Sequence, residues 1–290
     1  MKFWIAFSFT DTRHLVELSR RAETLGFEGV FLADHLCVPE QIESSYPYDP
    51  EGAPPFSRRI EHPDVWAAIA AMATATTSLR FSIGTHILPL HDPLEVARGA
   101  ATASVLSNGR AHLSVGAGWM KEEFDIQGID FKTRGRRMDE MIHVMRKLWT
   151  GDVVEHQGEL FSFPPLTMRP APDESIPILI AGLSPRALRR TAELGDGWIG
   201  PGNTPDEAET ILLEIRRLRE EAGRSELPFE CIVPLTTEPD ADVYRRLSEL
   251  GMDATVSWPP SLAMGVEAPS LEQEIAYLEQ FAANVIQRFG

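Results

Sequence analysis

The sequence predicts an α/β fold, a (β/α)8 barrel, and three observations carry that expectation. Short apolar strands alternate with amphipathic helices eight times along the 290 residues. Most of these strands are apolar on both faces, which suits parallel strands covered by helices rather than a half-exposed antiparallel sheet. No shift in composition divides the chain, which favours closure into a single barrel domain, 1–290, over a doubly wound open sheet.

The elements follow in order. FWIAFSF (3–9) leads into a helix over 12–25 that Thr10, Asp11 or Thr12 can cap and Gly26 can close. GVFLA (29–33) is the second strand, followed by a Pro- and Gly-rich stretch, 36–62, and a helix over 63–78. RFSIGTHIL (80–88) is the third, and Gly84 inside it marks a bulge or a close backbone approach. A helix over 93–107, the strand AHLSVG (111–116), a long connection 117–133 and a helix over 134–150 come next. Within the insertion 151–174, VVEHQGELFSF reads as a hairpin turning at Gln-Gly-Glu. PILIA (177–181), GWIG (197–200), FECIVPL (229–235) and DATVSW (253–258) alternate with helices over 184–194, 205–222, 240–250 and 270–288. Pro93, Pro185 and Pro205 sit near helix starts, where the missing N–H costs nothing. The two long stretches after strands belong at the C-terminal barrel face, where barrel enzymes react.

Bulk properties exclude several classes. The net charge of −16 argues against nucleic-acid binding, which requires a basic face. Two cysteines make neither a disulfide framework nor a Cys-rich zinc site. The N-terminal MKFWIAFSFTDTR lacks a signal-peptide pattern, and no apolar run reaches the ~20 residues of a membrane span. The expectation is a cytoplasmic protein, with no membrane or nucleic-acid partner.

The chemistry-bearing candidates gather at strand ends. Asp34 and His35 end the second strand, where the choice lies between a polar strand end and a catalytic pair. His86 closes the third strand, and Gly116, Gly118 and Trp119 close the fourth, where glycines let a planar or anionic ligand approach the main chain. Gly182, Leu183 and Ser184 precede a helix N-terminus suited to a phosphate, or to plain capping by Ser184. Trp198, Ile199 and Gly200 can pack on a ring. Arg134, Arg136 and Arg137 either pair with Glu122, Glu123 and Asp125 or receive an acidic ligand tail. His35, His62, His86, His91 and His112 are scattered without metal-ligand spacing, so no metal site is expected. No G-x-S-x-G elbow is present.

In order and spacing, LGFEGVFLADH (25–35), GTHILPL (84–90), LSNGR (106–110), GAGWMKEEF (116–124) and AGLSPRALRRTAELGDGW (181–198) resemble the bacterial luciferase-like superfamily of flavin and deazaflavin oxidoreductases. ADHLCVPEQIESSYPY (33–48) and the PPF at 54–56 are most similar to its branch using the deazaflavin coenzyme F420. The resemblance implies that Asp34 and His35 line the reactive ring edge, with Asp34 orienting His35. It also implies a non-prolyl cis peptide backing the ring, at His86–Ile87 or one bond earlier, so that Thr85, His86 and Ile87 become cofactor contacts. The cofactor phosphate would lie at Gly182 to Ser184. The reading is an F420-dependent oxidoreductase exchanging a hydride with a small organic substrate, as a homodimer. Its rivals are an FMN-dependent monooxygenase served by a separate reductase and a barrel that binds flavin without catalysis. A metal hydrolase is more remote.

Overall fold

The computed structural model describes residues 1–57 and 59–290. The chain runs β1 (Lys2–Ala6), α1 (Leu15–Thr24), β2 (Gly29–Leu32), α2 (Val65–Thr74), β3 (Arg80–Ile83), β4 (His86–Ile87), α3 (Pro93–Leu106) and β5 (Leu113–Gly116). It continues through α4 (Lys121–Ile126), α5 (Arg134–Leu148), β6 (Val154–Gln157), β7 (Ser162–Leu166), β8 (Ile178–Ala181), α6 (Pro185–Leu194), β9 (Gly197–Ile199) and α7 (Pro205–Glu221). Then come β10 (Glu230–Ile232), α8 (Ala241–Glu249), β11 (Ala254–Ser257), α9 (Pro260–Met264) and α10 (Leu271–Phe281), which runs on through a π-helical turn, Ala282–Ile286, into α11 (Gln287–Phe289).

The strands of the main sheet pair in parallel in the order β3-β2-β1-β11-β10-β9-β8-β5-β4. Its two ends, β3 and β4, are consecutive pieces of one strand, and Phe81 of β3 bridges to Ala111 just before β5. The sheet therefore closes on itself with eight strand positions, the barrel that the alternation predicts. β6 and β7 form the expected antiparallel hairpin outside it.

Parity along each strand sorts the core into two layers. Trp4, Phe31, Leu179, Ile199, Ile232 and Ala254 fill the interior. Their neighbours Ile5, Val30, Phe81, Val115, Ile180 and Trp198 face the surrounding helices. Trp4 fills the barrel floor because residue 29 is glycine: a Cβ there would lie 2.5 Å from the indole and 2.7 Å from the Arg80 carbonyl. Helix starts are capped as the sequence suggests. Asp92 accepts from Leu94 N at 2.8 Å before Pro93, Ser184 caps α6, and Thr204 with Glu207 forms a capping box on α7.

Three expectations need correction. The third strand is not continuous over 80–88 but breaks at Gly84 and Thr85. The non-prolyl cis peptide is Gly84–Thr85, earlier than His86–Ile87 or the bond before it. The connection 117–133 holds a helix, α4, rather than plain loop. Among the described residues, no helix is long and apolar enough to cross a membrane.

Candidate active site

A cavity of about 520 Å³ opens at the C-terminal mouth of the barrel, within the ~300–1,000 Å³ of small-molecule sites. Small residues at the strand ends, Ala6, Ala33, Gly84, Ala181 and Gly200, leave its floor bare, and Ile87, Trp119, Ile199 and Val256 supply apolar walls. Segment 46–56 of the long second connection forms the roof, with Tyr46 edge-on to Trp119 at 5.2 Å. Burial, with Tyr48 and Asp49 close by, pushes the Tyr46 phenol up to about 12, so the roof meets a ligand as a neutral hydroxyl. Among the described residues, no lysine or arginine lines the cavity.

Asp34 and His35 do not work on each other. Adjacent residues at a strand end point to opposite faces: Asp34 borders the mouth cavity, but its carboxylate turns to Ile87 N, His86 and His91 on the far side from His35 Nδ1. The partner of His35 is Glu123 of α4, whose Oε2 lies 3.0 Å from His35 Nδ1. Glu123 is 1 % exposed, and its Oε1 accepts the backbone N–H of Leu36 at 2.9 Å. One buried carboxylate thus fixes both the imidazole and the start of the roof. With Nδ1 committed, Nε2 is the nitrogen His35 can offer the cavity. Phe56 packs on the same ring at 4.9 Å. Glu122 latches the roof further along, accepting from Glu43 N at 2.7 Å and Ser44 N at 2.9 Å.

These glutamates were the missed residues. The arginines at 134–137 do not pair with Glu122, Glu123 or Asp125. Arg134 stacks on Phe131, Arg136 bonds Glu159 and Arg137 donates to the Pro89 carbonyl. The only signal in the sequence was two glutamates on a short helix after a strand, and nothing local connects position 123 with position 35.

The other candidates divide. Thr85, Ile87, Trp119, Gly182, Ile199 and Gly200 line the cavity, as expected of ligand contacts. His86 does not: it is 1 % exposed on the helix side of β4, with Nδ1 2.7 Å from Asp34 Oδ2. Gly116 lies under Thr85, whose Oγ1 would be 2.7 Å from an added Cβ, and Gly118 abuts Ile87 and Phe124. Trp198 is fully buried in the outer layer, donating to the Gly182 carbonyl at 3.3 Å, so Ile199 and not Trp198 can pack on a ring. Leu183 and Ser184 stand outside the lining, and the Ser184 hydroxyl is spent on capping Ala187 N at 3.2 Å.

A flat heteroaromatic cofactor fits this donor set. Bare strand ends admit a ring, apolar walls flank it, and Gly182, at φ +116, offers main chain beside the N-terminus of α6. A phosphate would meet backbone N–H groups and the helix dipole rather than a cationic side chain.

The comparisons agree with this architecture. The sequence matches the family of luciferase-like monooxygenases over residues 6–284. An uncharacterised protein of Mycobacterium tuberculosis (strain H37Rv) is 36% identical over 289 residues, covering 99% of this chain and 100% of that one. The F420-dependent glucose-6-phosphate dehydrogenase of Amycolatopsis mediterranei is 30% identical over 276 residues, 93% of this chain and 76% of that one. The F420-dependent tetrahydromethanopterin reductase of Methanopyrus kandleri shares the fold at a TM-score of 0.76, with 16% identity over 100% of this chain and 99% of that one. The chain belongs to the luciferase-like monooxygenase family.

Proposed function

We propose that this protein is an F420-dependent oxidoreductase that exchanges a hydride between the deazaflavin and a small organic substrate. The observation that carries the reading is His35, held at the rim of the mouth cavity by the buried Glu123. The bound deazaflavin would supply the hydride chemistry. The residues of the chain do the rest. Ile87, Ile199 and Gly200 hold the ring, the roof from Tyr46 to Phe56 excludes water, and His35 gives or takes the substrate proton at Nε2. Asp34 takes no part in orienting His35. It anchors the break after β3 by accepting Ile87 N at 3.1 Å.

The cofactor reading is tested by titration with each candidate. The deazaflavin should bind at least about tenfold tighter than FMN, a difference of about 1.4 kcal/mol. Equal or inverted affinities would move the protein to the FMN-dependent monooxygenases that work with a separate reductase.

Glu123 provides a second test. Glu123→Gln keeps an acceptor for Leu36 N but removes the charge facing His35, and turnover should fall by roughly tenfold or more, as for other residues that orient a working imidazole. Cofactor affinity should stay within about threefold, below about 0.7 kcal/mol. A parallel loss of cofactor affinity would mean that Glu123 acts only by holding the roof in place.

A further inference from the structure

We propose that Asp34, His86 and His91 form a binding site for a divalent first-row transition-metal ion, with zinc the expected occupant. The site lies in a second cavity, of about 710 Å³, behind Asp34 and His35 and between α2 and α3. One donor atom from each of the three residues lies within 4.8 Å of the others. His86 Nδ1 is 2.7 Å and His91 Nε2 is 3.7 Å from Asp34 Oδ2, and the two imidazoles stack with centroids 4.2 Å apart. Ligands at about 2.0–2.1 Å from a tetrahedral ion stand roughly 3.3–3.4 Å from each other. The observed separations bracket that value, but the two rings lie only 15° from parallel, so one imidazole must turn out of the stack before both nitrogens can face one ion.

The protein leaves these nitrogens unspent. Both nitrogens of His86 and Nε2 of His91 are buried without an aligned hydrogen-bond partner, and the 2.7 Å approach to Asp34 is not directed as a hydrogen bond. His62 lines the same cavity with both its nitrogens buried and unpartnered. Buried polar atoms are nearly always satisfied, and five such nitrogens, three on two of the ligands and two on His62, point to a partner in this cavity; an ion there takes one nitrogen from each ligating ring. A carboxylate with two imidazoles selects zinc or another late first-row ion over magnesium or calcium, which prefer all-oxygen sites. The scattered spacing of these histidines hid the site from the sequence. The fold assembles it, because the end of β2 and the turn from β4 into α3 meet there. An ion held there would tie Asp34 to the segment carrying Thr85 and Ile87, the floor of the mouth cavity.

The test uses untagged full-length protein stripped with a chelator and titrated calorimetrically with zinc sulfate, and separately with Co²⁺ followed by its visible d–d absorption. We expect one ion per chain at micromolar affinity or tighter, a Co²⁺ spectrum of mixed nitrogen and oxygen ligation, and at least about a tenfold loss in His91→Gln and His86→Gln. No saturable binding up to ~1 mM, or binding unaltered in both variants, overturns the proposal. Should a variant misfold, the Co²⁺ spectrum of the wild-type chain decides alone: a ligated spectrum supports the site, and that of the hydrated ion refutes it.

Discussion

Replacing His35 with alanine should lower turnover by about 10²–10⁴-fold, the usual worth of a positioned acid or base. The measurement is a single-turnover rate, following deazaflavin absorbance, with the best substrate from a screen of small alcohols and ketones. Cofactor affinity should move by less than about tenfold, or 1.4 kcal/mol, because the proposed ring contacts come from β4 and the end of β9 while His35 follows β2. His35→Gln separates two roles. Glutamine can still bond Glu123 and polarise a substrate oxygen, but it cannot carry the proton. Rates as low as those of alanine mean that proton transfer is the function of the imidazole; a large recovery means polarisation suffices. A fully active alanine variant would return His35 to a structural role, and the barrel that binds cofactor without catalysis would become the better reading.

The barrel was legible because a parallel sheet announces itself through apolar strands at regular intervals, and each predicted strand has its place in the ring. Legibility stopped at parity. In GWI (197–199) every residue is buried, so hydrophobicity alone cannot say that Ile199 faces the mouth while Trp198 faces the helices. The same limit misread Asp34 and His35 as a pair, since neighbours in sequence at a strand end are neighbours in space only along the chain. Gly84 correctly flagged a break in the third strand. The consequence of the break, which lets both Gly84 and Thr85 reach the cavity, follows from backbone geometry that no residue type encodes. Glu123 and the Asp34, His86 and His91 cluster were invisible for another reason. Their partners are set by which strand ends and helices the closed ring brings together, across as many as 88 positions for His35 and Glu123.

Replacing Arg80 with leucine should cost roughly 2–3 kcal/mol of folding stability, less than the ~3–5 kcal/mol seen when one partner of a fully buried ion pair is removed, because the Arg80 and Glu230 side chains keep 17% and 19% exposure. Arg80 lies at the floor of the barrel, with its guanidinium fork on Glu230 at 2.7 and 2.8 Å, a third bond to Glu28 at 2.9 Å and its plane 5.0 Å from the Trp4 ring. Burial alone would raise the Glu230 carboxyl, but Arg80 more than offsets it and holds the group below the usual carboxylate range. Leucine would leave Glu230 in the floor without its cation, while Glu28 keeps Lys2 at 3.0 Å. Urea unfolding monitored by circular dichroism measures the loss, and a deficit under ~1 kcal/mol would show that water already screens the network. Adding Glu230→Leu should recover at least half of the deficit, because it removes the charge that the single variant strands. The pH dependence gives an independent check. Burial, then the nearby Arg80, lowers His112 from 6.5 to about 4. Between those values the unfolded chain binds a proton that the folded chain refuses, so wild-type stability falls as pH drops through that window. The lowered Glu230 carboxyl loses its contribution in the same direction as pH falls further. Without Arg80 the His112 shift shrinks and burial is left to push the Glu230 carboxyl up, so the gap between variant and wild type should be widest at neutral pH and narrow toward pH ~4.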